Sequence, residues 1–123
     1  MISVDLSTRE CGGQVIVALR GVLDIVDAVS VAAALTALAA RERDIIIDLA
    51  GLEFIDSSGV AALVRGRRQA RYAGAELLLA APQQQVLRVL TLTRLLDVFP
   101  VHATVAEAAG GAGRSPQAAV PVL

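Results

Sequence analysis

The chain has 123 residues, enough for one domain and not for two. Hydrophobic residues make up 55% and charged residues 19%, which excludes a disordered chain, and aromatics at 2% leave the core to Ala, Val, Leu and Ile. The formal net charge of -1 argues against a protein whose main task is coating nucleic acid.

Ile2, Val4 and Leu6 alternate with Ser3, Asp5 and Ser7, the period of a half-buried strand. Gly12-Gly13 offers a tight turn, and the apolar run Val15 to Leu19 completes an edge hairpin. Gly21-Val22-Leu23-Asp24 is expected to break the strand. A helix follows, with Ala28, Val31, Ala32, Leu35, Leu38 and Ala39 on one stripe, ending near Arg41-Glu42-Arg43. Asp44 to Leu49 is apolar without alternation, as in a strand buried on both faces. After a short connection comes Asp56-Ser57-Ser58-Gly59, then a helix from Ser57 to Ala73 with Gly74 at its C-terminal end. Glu76 to Ala81 reads as the next strand, giving a βαβ unit with parallel neighbours. Pro82 opens a third helix to Leu92 with Val86, Leu87 and Leu90 on one face. Val98 to Val101 reads as a short strand. Thr104 and Glu107 have capping-box spacing and start a last short helix. From Gly110 the chain loses periodicity, so residues 110–123 are expected to form a disordered tail behind a domain at 1–109.

All 11 basic residues are arginine, which reads as codon bias and not as chemistry. One cysteine, Cys11, allows no intrachain disulfide, and with His102 it falls short of the four ligands of common structural zinc sites. Cys11 reads as an exposed hairpin thiol and His102 as a surface or edge residue. The uncharged run from Ala28 to Ala40 is too short to span a bilayer, which takes about 20 residues. The first residues have no basic stretch followed by an apolar one. The expectation is a cytoplasmic protein that does not contact a membrane.

Asp56-Ser57-Ser58-Gly59 carries the chemistry. It lies between a buried parallel strand and a helix start, where sites of open α/β sheets cluster. The first N–H groups of the helix have no intrahelical partner, so a hydroxyl, carboxylate or added phosphate is stabilised there. Gly59, without a side chain, would let a partner's backbone come close. A hydrolase nucleophile needs Gly-x-Ser-x-Gly, but Ile55 and Asp56 precede these serines, and His102 is the only histidine. The chain has no lysine and hence no Gly-x4-Gly-Lys-Ser/Thr loop, so nucleotide hydrolysis is not expected. Two readings remain equal on spacing alone: a helix N-cap and an acceptor serine for another protein's kinase.

The wider sequence separates them. Gly21-Val22-Leu23-Asp24 and the run from Ile46-Ile47-Asp48-Leu49 through Phe54-Ile55-Asp56-Ser57-Ser58-Gly59 resemble the STAS domain family of anti-sigma factor antagonists. Leu95-Leu96-Asp97-Val98-Phe99-Pro100-Val101 with Thr104 to Ala108 resembles the C-terminal end of that family. The resemblance covers about residues 1 to 109. One departure is Gly59-Val60-Ala61 where the family often has Gly-Leu-Gly.

The resemblance implies an α/β fold, a single STAS-like domain whose mixed β-sheet carries an N-terminal hairpin and about four flanking α-helices. It implies a binding switch and not an enzyme, with no catalytic residue, metal or cofactor. The unphosphorylated form would bind an anti-sigma factor, an ATP-dependent serine kinase, and displace its sigma factor. Phosphorylation of Ser57 would release the protein, and a metal-dependent serine phosphatase would restore it. Asp24, Asp56, Ser57, Ser58 and Gly59 would face the partner. The alternative is a non-phosphorylated STAS accessory or scaffold module of a membrane transport complex or stress-sensing assembly.

Arg65, Arg67, Arg68 and Arg71 crowd the second helix, with Arg65, Arg68 and Tyr72 expected on one side and Arg67 and Arg71 on another. They read as a solvated face or as a basic rim steering an acidic partner. Without interleaved aromatics they do not point to direct nucleic-acid binding.

Overall fold

The computed structural model describes residues 4–110. Most of the expected tail, residues 111–123, lies outside the described residues, as do Ile2 and Ser3. The order of elements is β1 (Val4–Cys11), β2 (Gln14–Leu23), α1 (Ile25–Ala39), β3 (Ile45–Ile55), α2 (Ser57–Tyr72), β4 (Leu77–Ala80), α3 (Gln84–Leu92), a single 3-10 turn (Leu95–Asp97), β5 (Val101–His102) and α4 (Val105–Ala109). The strands form one sheet in the order β1-β2-β3-β4-β5.

β1 and β2 pair antiparallel from Val4↔Gly21 to Cys11↔Gln14. Gly12 and Gly13 close this hairpin with φ of 58° and 83°, the two positive values that a tight hairpin turn demands. All other pairings are parallel. Each parallel connection runs through a helix to the adjacent strand, so successive right-handed crossovers bring α1, α2 and α3 to one face. Their buried residues join Val15, Val17, Leu19, Ile45, Ile47, Leu77, Leu79 and Val101 in the main core. On the other face, Ile16, Ile46, Leu78 and Ala80 pack with Ala108 of α4.

The strands differ from expectation in extent. Gly21-Val22-Leu23 does not break β2, which continues to Leu23. Gly21 has φ of 95°, and the β2–β3 register shifts between Ala18 and Arg20 and between Gly21 and Val22. The irregularity is absorbed as bulges, because side-by-side pairing resumes at Val22↔Phe54 and Leu23↔Ile55. β3 therefore runs to Ile55 and not only to Leu49. The expected strand at Val98 begins later, at Val101: Leu95–Asp97 is a 3-10 turn that Val98 ends.

His102 is not a surface residue. It is 4% exposed and its Nε2 has no hydrogen-bond partner among the described residues. In register with Ala80, it turns onto the face covered by α4. Cys11 is exposed, as expected for the hairpin. Among the described residues no helix is long and apolar enough to cross a membrane.

Candidate functional site

The site is built where β2 and β3 end. Leu23 and Ile55 are register partners, and each is followed by an aspartate that begins a helix. The Asp24 carboxylate accepts the Val26 N–H at 3.0 Å and caps α1. The Asp56 carboxylate accepts the Gly59 N–H at 3.0 Å and caps α2. The Asp56 N–H donates to Leu23 O at 3.2 Å, tying the two strand ends together. Neighbouring strands lie roughly 5 Å apart, so both carboxylates and both helix N-termini share one end of the sheet.

That geometry divides the four motif residues. Asp56 is the N-cap, so the hydroxyl of Ser57 is not needed for capping. Ser57 is the first residue of α2, is exposed, and makes no side-chain hydrogen bond among the described residues. Ser58 is half-buried and lines a groove of about 210 Å3 between α1 and α2. The N–H groups of Ser57 and Ser58 lie in the first turn, where the helix supplies no partner. An anion attached to Ser57 would sit beside them and beside the positive end of the helix dipole.

Gly59 does not do what the sequence reading assigned to it. It is buried, and a Cβ there would stand 2.7 Å from Ile55 Cγ1 and 2.8 Å from Leu23 O. It lets α2 start flush against the two strand ends, and it offers no open surface to a partner's backbone. Of the five expected partner-facing residues, the structure brings all to one end of the sheet, with Gly59 beneath the surface.

The arginines are also distributed differently. Arg67, Arg68, Arg71 and Tyr72 surround one hollow of about 360 Å3 with Val64. Arg65 stands apart in the α1–α2 groove. Arg71 is 4.0 Å from Glu76.

The sequence reading missed the exposed aliphatic residues of α1. Ile25, Val26 and Val29 are 72%, 68% and 72% exposed, directly after the Asp24 cap. Part of the signal was available: Val26 and Val29 fall outside the stripe Ala28, Val31, Ala32, Leu35 that reaches the core, whereas Ile25 has the spacing of the stripe and is exposed as the first residue of the helix. Among the described residues no group of three or more His, Cys, Asp and Glu side chains is placed to hold a metal ion.

The family model described as "STAS domain" matches residues 5–108, which includes both capped helices and every residue of the site. The chain belongs to the STAS domain family. It is 32% identical over 97 residues to BtrV of Bordetella bronchiseptica, which is named as a proposed anti-sigma factor antagonist; the match covers 78% of this chain and 84% of BtrV. An anti-sigma factor antagonist from Mycobacterium paratuberculosis has the same fold, with a TM-score of 0.81 at 24% identity over 89% of this chain and 93% of that one. The antagonist SpoIIAA in its unphosphorylated form superimposes with a TM-score of 0.73 at 23% identity, over 87% and 95% of the two chains. The STAS fold expected from the sequence, a mixed sheet with an N-terminal hairpin and four helices, is the fold found.

Proposed function

We propose that this protein is an anti-sigma factor antagonist whose binding to an anti-sigma factor serine kinase is switched off by phosphorylation of Ser57. The observation that carries the reading is that the Ser57 side chain is exposed and makes no hydrogen bond among the described residues while its neighbour Asp56 caps the helix. A serine with no structural duty, at a helix N-terminus, is suited to be an acceptor. The name of BtrV points the same way.

In the transfer step the Ser57 hydroxyl oxygen bonds to the γ-phosphorus of ATP, the bond from that phosphorus to ADP breaks, and the hydroxyl proton leaves to a base of the kinase. The chain has only to present the hydroxyl. The product carries about -1.5 to -2 charges. Those charges meet the free N–H groups of the first turn, which favour them, and the Asp24 and Asp56 carboxylates, which do not. At the interface the new charge faces the partner's nucleotide phosphates, so the complex dissociates. A serine phosphatase that depends on a metal would reset the switch. The protein itself acts by binding, in the cytoplasm, without a cofactor.

The test is incubation of the protein with ATP and each small ATP-dependent serine kinase of the source genome, followed by mass spectrometry. One added phosphate, on Ser57, and none on Ser57→Ala supports the reading. No phosphate with any of these kinases contradicts it and favours the constitutive STAS module of a transport or stress-sensing assembly.

A further inference from the structure

The outward side of α1 is aliphatic at its N-terminal end. Ile25 and Val29 are each 72% exposed and Val26 is 68% exposed. The domain's own packing does not use them, because the sheet receives Ala28, Val31, Ala32, Leu35 and Ala39. β-branched residues at exposed helical positions lower helix propensity, and adjacent exposed aliphatics mark an interaction surface.

Ile25 and Val29 belong to one wall of the α1–α2 groove; Ser58, Ala61 and Arg65 belong to the other. α1 and α2 follow adjacent parallel strands from the same end of the sheet, so the groove begins beside Ser57 and runs along both helices. Its character changes along its length. The near end is aliphatic. Arg65 lies at the far end, seven residues past Ser58 and roughly 10 Å along the helix, and Arg68, one turn later, lies outside the groove and lines the neighbouring hollow. Neither arginine has an ion pair or a side-chain hydrogen bond within the described residues.

We infer that this groove seats an amphipathic helix of the anti-sigma kinase, with aliphatic side chains over Ile25, Val29 and Ala61 and carboxylates toward Arg65 at the groove's far end and Arg68 just beyond it. The inference rests on the proposed switch and adds the chemistry of the partner's contact surface. The charge pattern fixes the helix's polarity. Carboxylates at the near end would face Asp24 and Asp56, whereas at the far end they meet the Arg65 guanidinium and, just beyond the groove, that of Arg68, neither with a counter-charge among the described residues. An aliphatic anchor between two helices is the usual way such grooves recognise a third helix.

The kinase that phosphorylates Ser57 is titrated calorimetrically into wild type and two double variants, Ile25→Ser/Val29→Ser and Arg65→Glu/Arg68→Glu. Each pair is exposed, so melting temperatures stay at the wild-type value. Each is expected to weaken binding by about tenfold or more, as loss of central interface anchors does. The KM for protein substrate in the phosphorylation assay rises in step while kcat holds. Added salt weakens wild-type binding and has less effect on the arginine pair. Arg65→Lys/Arg68→Lys keeps the charge and retains most of the affinity. Wild-type affinity in both double variants overturns this inference and leaves the Ser57 switch standing. A chain that no serine kinase binds or phosphorylates overturns both.

Discussion

Asp56, Ser57 and Gly59 are close in sequence and have three different duties. Asp56 satisfies an N–H of α2, Ser57 presents a free hydroxyl, and Gly59 makes room for Leu23 and Ile55. Their substitutions should therefore separate in thermal melts. Gly59→Ala drives a methyl against a backbone oxygen, an overpacking that costs about 1–3 kcal/mol. Asp56→Ala loses a cap and costs about 1 kcal/mol. Ser57→Ala, a surface change, stays within about 0.5 kcal/mol of wild type. At about 4–8 °C per kcal/mol for a domain near this size, the order is readable. A Ser57→Ala protein that melts as low as Gly59→Ala would place the serine in the fold and not in the switch. The sequence marked these residues as a unit but not the division between them. Cap and acceptor differ only in which side chain reaches the Gly59 N–H, and that depends on where the helix begins.

At the scale of elements, the apolar stripe of α1 was legible because the core selects Ala28, Val31, Ala32 and Leu35 at helical spacing. The Gly12-Gly13 hairpin was legible because its turn demands positive φ. The ends of β2 and β3 were not, since a bulge at Gly21 looks locally like a strand stop. Also unread was a clamp between the hairpin and the segment after α1: Arg41 and Arg43 both pair with Glu10. Hydrogen bonds from Arg43 and then Arg41, with their positive charge, hold the Glu10 carboxyl below its ordinary value of 4.5. The folded state thus favours the charged form. Its stabilisation is fully present above the unfolded value and is lost as pH falls through the lower folded value. The pair is exposed, so the effect is small and screened by salt. In low salt, wild type should out-melt Glu10→Gln at neutral pH, and the difference should close in acid. A difference that grows in acid would reverse the assigned sign.

For the whole molecule, three helices cover one face of the sheet, and α4 packs on the other. The end that carries Ser57 is formed by the termini of two strands and two helices, each helix held by its own cap and by the main core. Phosphorylation of Ser57 should therefore change binding without refolding the domain. The helix N-terminus favours the phosphate and the Asp24 and Asp56 carboxylates oppose it, so circular dichroism of the two forms should be nearly superimposable. A large loss of helix on phosphorylation would refute a switch that acts at the surface. This scale was the most legible from sequence, because the motifs stand in family order along nearly the whole described chain. His102 was misread there, since a two-residue strand gives no period from which to infer which face it turns to.

The most direct test of the central claim is calorimetric binding of four proteins to the proposed anti-sigma factor kinase: wild type, Ser57→Ala, Ser57→Asp and Ser58→Ala. Ser57→Ala should bind like wild type and accept no phosphate. Ser58→Ala should still be phosphorylated. Ser57→Asp puts an uncompensated charge at the interface beside Asp56 and should bind at least about tenfold more weakly, a loss of about 1.4 kcal/mol. If Ser57→Asp binds as tightly as wild type, or phosphate still enters Ser57→Ala at the wild-type rate, Ser57 is not the switch.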